Sequence, residues 1–155
     1  MSRLLAILAV TALPGCVTVP ATAENHTESA TLNAPPDAVW EAAVLELAAR
    51  GLALANSDRD DGLLITASID LPPESLIDRR RDLADCGSLG GVPRFPSRVT
   101  YMVTVRDAGE GASLRASAVY LSQLQGEPQA LPCASSGAWE GSFVAAVRAR
   151  AEGMP

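Results

Sequence analysis

The sequence predicts an α+β domain in two layers, with an antiparallel sheet of about five strands and two helices on one of its faces. Three observations predict it. Apolar residues recur at helical spacing once near each end of the chain, strict apolar/polar alternation fills much of the stretch from 98 to 124, and short turn signals join neighbouring strands. Strands joined by short turns lie antiparallel, and two amphipathic helices need a sheet face to cover.

The elements follow in order. Residues 29–34, SATLNA, read as a short strand, which Pro35-Pro36-Asp37 ends while opening a helix. Proline is tolerated in a helix's first turn, and Asp37 suits its N-cap or its positive end. In DAVWEAAVLELAARG the set Trp40, Ala43, Val44 and Leu47 repeats at i, i+3, i+4, i+7, and Gly51 stops the helix. LALANS (52–57) and LLITAS (63–68) flank an acidic turn ending in Asp61-Gly62, the signal of a hairpin. Residues 69–97 break the rhythm with Pro72-Pro73, Gly87, Gly90-Gly91, Pro93 and Pro96, leaving mostly loop around a short helix expected over 74–84. In 98–107, Val99, Tyr101, Val103 and Val105 alternate against Thr100, Met102, Thr104 and Arg106. In 113–124, Leu114, Ala116, Ala118 and Tyr120 alternate against Arg115 and Ser117. A second loop carries Cys133, and Trp139, Phe143, Ala146 and Val147 then mark the last helix.

The N-terminus supplies a different kind of signal. Met1-Ser2-Arg3 precedes an apolar run from Leu4 to Leu13, which ends at Pro14-Gly15-Cys16. A positive charge, an apolar run and a small residue at the break form an export leader, shorter than the ~20 residues of a membrane-spanning helix. The stretch LPGC resembles the lipobox of bacterial lipoproteins, whose cysteine takes a diacylglycerol on its sulfur and becomes the new N-terminus. Residues 1–15 are then a lipoprotein signal peptide, 16–29 a lipid-anchored flexible tether, and 30–155 one domain with a loop insertion at about 69–97. Ala21-Thr22-Ala23 offers a rival cut before Glu24, which would release a soluble periplasmic or secreted protein; the lipobox is preferred because it abuts the apolar run. Val17, rather than Asp, follows the cysteine, which in lipoproteins implies the periplasmic face of the outer membrane.

The other cysteines fit that reading. Three cysteines in an exported chain leave one over, and a lipid on Cys16 leaves Cys86 and Cys133 to pair in an oxidising compartment. The alternative is two unpaired buried thiols. A bridge closing a loop of this length is worth ~4 kcal/mol on the chain-entropy estimate.

Composition narrows the function classes. The chain has 155 residues and a net charge of −6, and all twelve of its basic residues are arginine. So acidic a balance argues against nucleic acid as a partner. Aromatic residues are only 4% of the chain, which makes Trp40, Tyr101, Tyr120, Trp139 and Phe143 core candidates. Asp58, Asp60 and Asp61 crowd carboxylates, but not at the spacing of a calcium loop, and no Cys/His metal pattern exists. Arg79-Arg80-Arg81 invites phosphate, yet Glu74, Asp78, Asp82 and Asp85 neutralise it, so a solvated face is expected. The lone histidine, His26, falls in the tether, and no G-x-S-x-G is present, so no Ser-His-Asp hydrolase can be built. No catalytic residue, cofactor or metal is expected.

Residues 34–67, from APPDAVW through the DG turn to LLITA, resemble the helix-grip modules of bacterial envelope lipoproteins, notably the BamC-type lipoprotein of the outer-membrane β-barrel assembly machinery. The resemblance implies a helix-grip-like fold and a non-catalytic, membrane-tethered interaction or assembly module, partnered by the membrane through its lipid and by other envelope proteins. A second reading is a periplasmic carrier or sensor that holds a small apolar ligand between sheet and C-terminal helix, in a pocket lined by Tyr101, Tyr120, Trp139 and Phe143.

Overall fold

The computed structural model describes residues 18–19, 25–71, 82–124 and 126–153. At its centre β9 (Arg98–Asp107) and β10 (Ala112–Ser122) form a long antiparallel hairpin. The alternation in their sequence sets its two faces: Val99, Tyr101, Val103 and Val105 are buried on one side, as are Ala112, Leu114, Ala116, Ala118 and Tyr120 from the partner strand. The tight connection between them is closed by Asp107, whose Oδ1 accepts the N–H of Gly109 at 2.6 Å.

Shorter strands extend the sheet on both flanks. Beside β9 run β4 (Leu63–Thr66) and β5 (Ile69–Asp70), and β3 (Leu54–Asp58) forms the edge beyond β4. On the flank of β10, β2 (Thr27–Leu32) covers Ala112–Ser117, while β11 (Leu131–Ser135) covers Tyr120–Ser122 and is itself paired with β6 (Ala84–Asp85). The resulting antiparallel sheet has eight strands, more than the five expected. The additional strands, β5, β6 and β11, run for two to five residues. Such runs are too short to show a period, and β11 contains Pro132, a signal that reads as loop.

Two helices cover the apolar face. α1 (Pro36–Ala49) buries Val39, Trp40, Ala42, Ala43 and Leu47, and α2 (Ala138–Ala151) buries Phe143, Val144 and Val147. Together with Leu32, Leu64, Val103, Val105, Leu114 and Ala116 they make one continuous core. Of the two places expected for Asp37, N-cap or positive helix end, it takes the second: Pro35 is the N-cap, without a side-chain bond, and Asp37 lies in the first turn, paired with Arg59 at 2.8 Å. That pair docks the β3–β4 turn on α1. At the turn, Gly62 has φ 63°, and a Cβ there would fall 1.9 Å from the carbonyl oxygen of Val105, so glycine is required on both counts. Asp58 Oδ1 accepts the N–H of Asp61 at 3.0 Å, so at least one of the crowded acids serves the turn itself.

The boundaries differ from expectation in three places. The first strand of the sheet begins at Thr27 rather than 29, so the domain takes in the last part of the expected tether. Thr18–Val19 (β1) pairs with β7 (Ser88–Leu89), which also pairs with β8 (Val92–Pro93), so the loop insertion is partly a three-stranded ribbon. Cys133, expected in a loop, lies in β11. Cys16 and Arg79-Arg80-Arg81 lie outside the described residues, as does most of the helix expected over 74–84; residues 82–83 form a turn into β6.

Candidate functional site

The sheet has two faces of opposite character, and each is assembled by the same two strands. Beneath α2, Tyr101 from β9 and Tyr120 from β10 point toward the helix, where Trp139 and Phe143 meet them. Tyr101 stacks on Trp139 with ring centres 4.0 Å apart, Trp139 stacks on Phe143 at 4.8 Å, and Tyr101 meets Tyr120 edge-on at 6.5 Å. The four residues named as a ligand pocket are therefore brought together, but against one another. Arg50 from the end of α1 lies over the Trp139 and Phe143 rings at 5.8 and 5.4 Å, a cation–π contact with both. Burial pushes the hydroxyls of Tyr101 and Tyr120 above the ordinary tyrosine range, so both stay neutral at physiological pH.

Next to Trp139 on the same helix is a buried carboxylate. Along β10, pairing with β2 stops at Ser117, opposite Thr27, and pairing with β11 starts only at Tyr120, opposite Cys133, which leaves the N–H of Ala118 without a strand partner on that edge. Glu140, fully buried in the first turn of α2, fills the gap: its Oε1 accepts from Ala118 N at 3.1 Å and from the Ser135 hydroxyl at 2.7 Å. A buried N–H and a buried hydroxyl are both satisfied by one side chain. The same corner holds His26, whose ring lies within 2.6 Å of where a Cβ on Gly137 would stand, and whose Nε2 is 3.2 Å from Glu28. His26 is thus a half-exposed contact at the start of α2 rather than part of a free tether.

Farther along, Cys86 and Cys133 form a disulfide that ties the segment before β7 to β11. Arg94, almost wholly buried, donates to Glu127 at 2.6 Å and to the carbonyl of Ser122, bridging the ribbon segment to the loop after β10. The bond from Arg94, helped by the N–H of Leu124, pushes the Glu127 carboxyl down to about 2. Sequence reasoning found the disulfide and missed this ion pair, because nothing in the spacing of Arg94 and Glu127 announces it.

Among the described residues, no helix covers the opposite face of the sheet. There Ser29 of β2, Met102, Thr104 and Arg106 of β9, and Ser113, Arg115 and Ser117 of β10 line an open groove of about 550 Å³. The alternation of β9 and β10 placed Arg106 and Arg115 outward; the strand register that brings them together was not legible. Arg106 lies opposite Ser113, and Arg115 opposite Thr104, so the two arginines are diagonal neighbours across the hairpin. Val119 continues the same face, 37% exposed.

Among the described residues no group of three or more His, Cys, Asp or Glu could hold a metal ion, and no helix is long and apolar enough to cross a membrane. No protein-family model matches the sequence, and no curated protein matches it significantly. Among solved structures, the chain is similar to that in the crystal structure of Ara h 8.0201, with 9% identity and a TM-score of 0.40 over 83% of this chain and 97% of that one.

Proposed function

We propose that the protein is a non-catalytic envelope lipoprotein, held by diacylglycerol on Cys16 at the periplasmic face of the outer membrane, and acting there as an interaction or assembly module related to the BamC-type lipoproteins. The observation that carries this reading is the bond between Cys86 and Cys133. It accounts for two of the three cysteines and leaves over the one that directly follows the leader. The oxidising compartment implied by that bond agrees with export. A diacylated cysteine anchors stably, since two acyl chains suffice where one gives only marginal binding.

Two structural facts support interaction over carriage. The rings of Tyr101, Trp139 and Phe143 stack on one another between sheet and helix, and among the described residues the outward face of β9 and β10 has no helix over it. The position of β1 adds an orientation: Cys16 precedes Thr18 by two residues, a reach of roughly 7 Å, so the anchor would hold the β1–β7–β8 ribbon close to the bilayer.

The test is mass spectrometry of the protein extracted from native membranes. The reading expects a chain beginning at a diacylglyceryl-modified Cys16, absent from the Cys16→Ser variant; an unmodified chain beginning at Glu24 would overturn it.

A further inference from the structure

The groove on the open sheet face carries a charge that the rest of the molecule does not explain. The chain has eighteen acidic side chains against twelve arginines, and the described arginines mostly meet acids: Arg50 and Arg150 pair with Glu46, Arg59 with Asp37, Arg94 with Glu127, and Arg98 with Asp70. Arg106 and Arg115 make no ion pair or side-chain hydrogen bond with a described residue, and both stand on the groove. Arg148, on α2, is the other described arginine without a side-chain partner, and it lines no part of the groove.

We infer that this groove binds a phosphate group, gripped by Arg106 and Arg115 together. The inference names the chemistry of the open face and so rests on that face being the functional one, though it requires neither the anchor nor a protein partner. Diagonal neighbours on an antiparallel hairpin stand about 7–8 Å apart at the backbone, close enough for two long guanidinium side chains to converge on one group. The lining supplies four hydroxyls, from Ser29, Thr104, Ser113 and Ser117, and no carboxylate. Acidic groups are set to one side: Arg106 also borders a neighbouring hollow of about 340 Å³, lined by Arg59, Asp60, Asp61 and Asp107. A planar carboxylate is satisfied by a single arginine fork. A tetrahedral phosphate presents acceptors in several directions and draws on both forks and the hydroxyls between them. Met102 on the groove floor leaves room for an apolar remainder of the ligand.

The experiment uses the full chain in detergent, titrated by calorimetry with inorganic phosphate and, separately, with mixed micelles of the same detergent carrying phosphatidylglycerol or phosphatidylcholine. Saturable binding of inorganic phosphate identifies a free phosphate as a source; saturable binding of phosphatidylglycerol micelles without it identifies a lipid headgroup. Either is expected to weaken roughly tenfold in Arg106→Gln and in Arg115→Gln, to vanish in the double variant, and to fall with rising ionic strength. Arg148→Gln changes the net charge equally and is expected to leave binding within twofold. Binding of neither probe, or an equal loss in Arg148→Gln, overturns the inference. Because no step depends on lipidation, a negative result leaves the identity of the mature N-terminus untouched.

Discussion

The two faces of the central hairpin are built from the same strands and have opposite fates. On the covered face Val99, Tyr101, Val103 and Val105 are at most 8% exposed, while on the other Thr100, Met102 and Thr104 are only half-buried and Arg106 is exposed. One face spends its residues on packing, and the other keeps charge and hydroxyls available to solvent. The difference teaches where to look for function: on the face whose polar side chains stay in reach of a partner.

Substitution on the two faces breaks this comparison or sharpens it. Phe143→Ala, at a fully buried ring, should cost about 3–5 kcal/mol, read from the denaturant midpoint, whereas Thr104→Ala on the open face should stay within about 0.5 kcal/mol. Similar losses at both positions would erase the distinction. Replacing both bridged cysteines by serine should cost about 2–4 kcal/mol, and a melting curve indifferent to reductant would show that the bond is dispensable. Glu140→Ala should cost about 1–3 kcal/mol by stranding the Ala118 N–H and the Ser135 hydroxyl, whereas Glu140→Gln, which keeps a carbonyl oxygen for both, should cost less. The smallest effect concerns acid. Glu127 titrates near 2 when folded and at an ordinary carboxylate value when unfolded, so its stabilisation is present in full above about pH 5 and is lost as pH falls toward 2. Glu127→Gln should therefore be less stable than the parent at neutral pH, and the gap between them should close in acid.

Much of the fold was legible because it is periodic. The long strand at 98–107 and both helices carry repeats that only one structure satisfies, and their observed ends fall on or near the expected ones. β11 was not legible: a five-residue strand with a proline gains its place from pairing with β10 and from the Cys86 bridge, both long-range facts. The aromatic rings of Tyr101, Tyr120, Trp139 and Phe143 meet one another, but sequence does not say whether convergent rings leave a space or fill it. Glu140 was hidden for a related reason. A glutamate on a helix looks like surface until two strands stop short of each other and leave an N–H for it.

The most direct test of the account is site-specific photocrosslinking in native membranes, with the crosslinking residue placed at Val119 on the open face or at Ala145 on the exposed side of α2. The account predicts discrete adducts with an envelope partner from position 119, lost when Cys16 is replaced by serine, and none from 145. Adducts from 145 alone would contradict it.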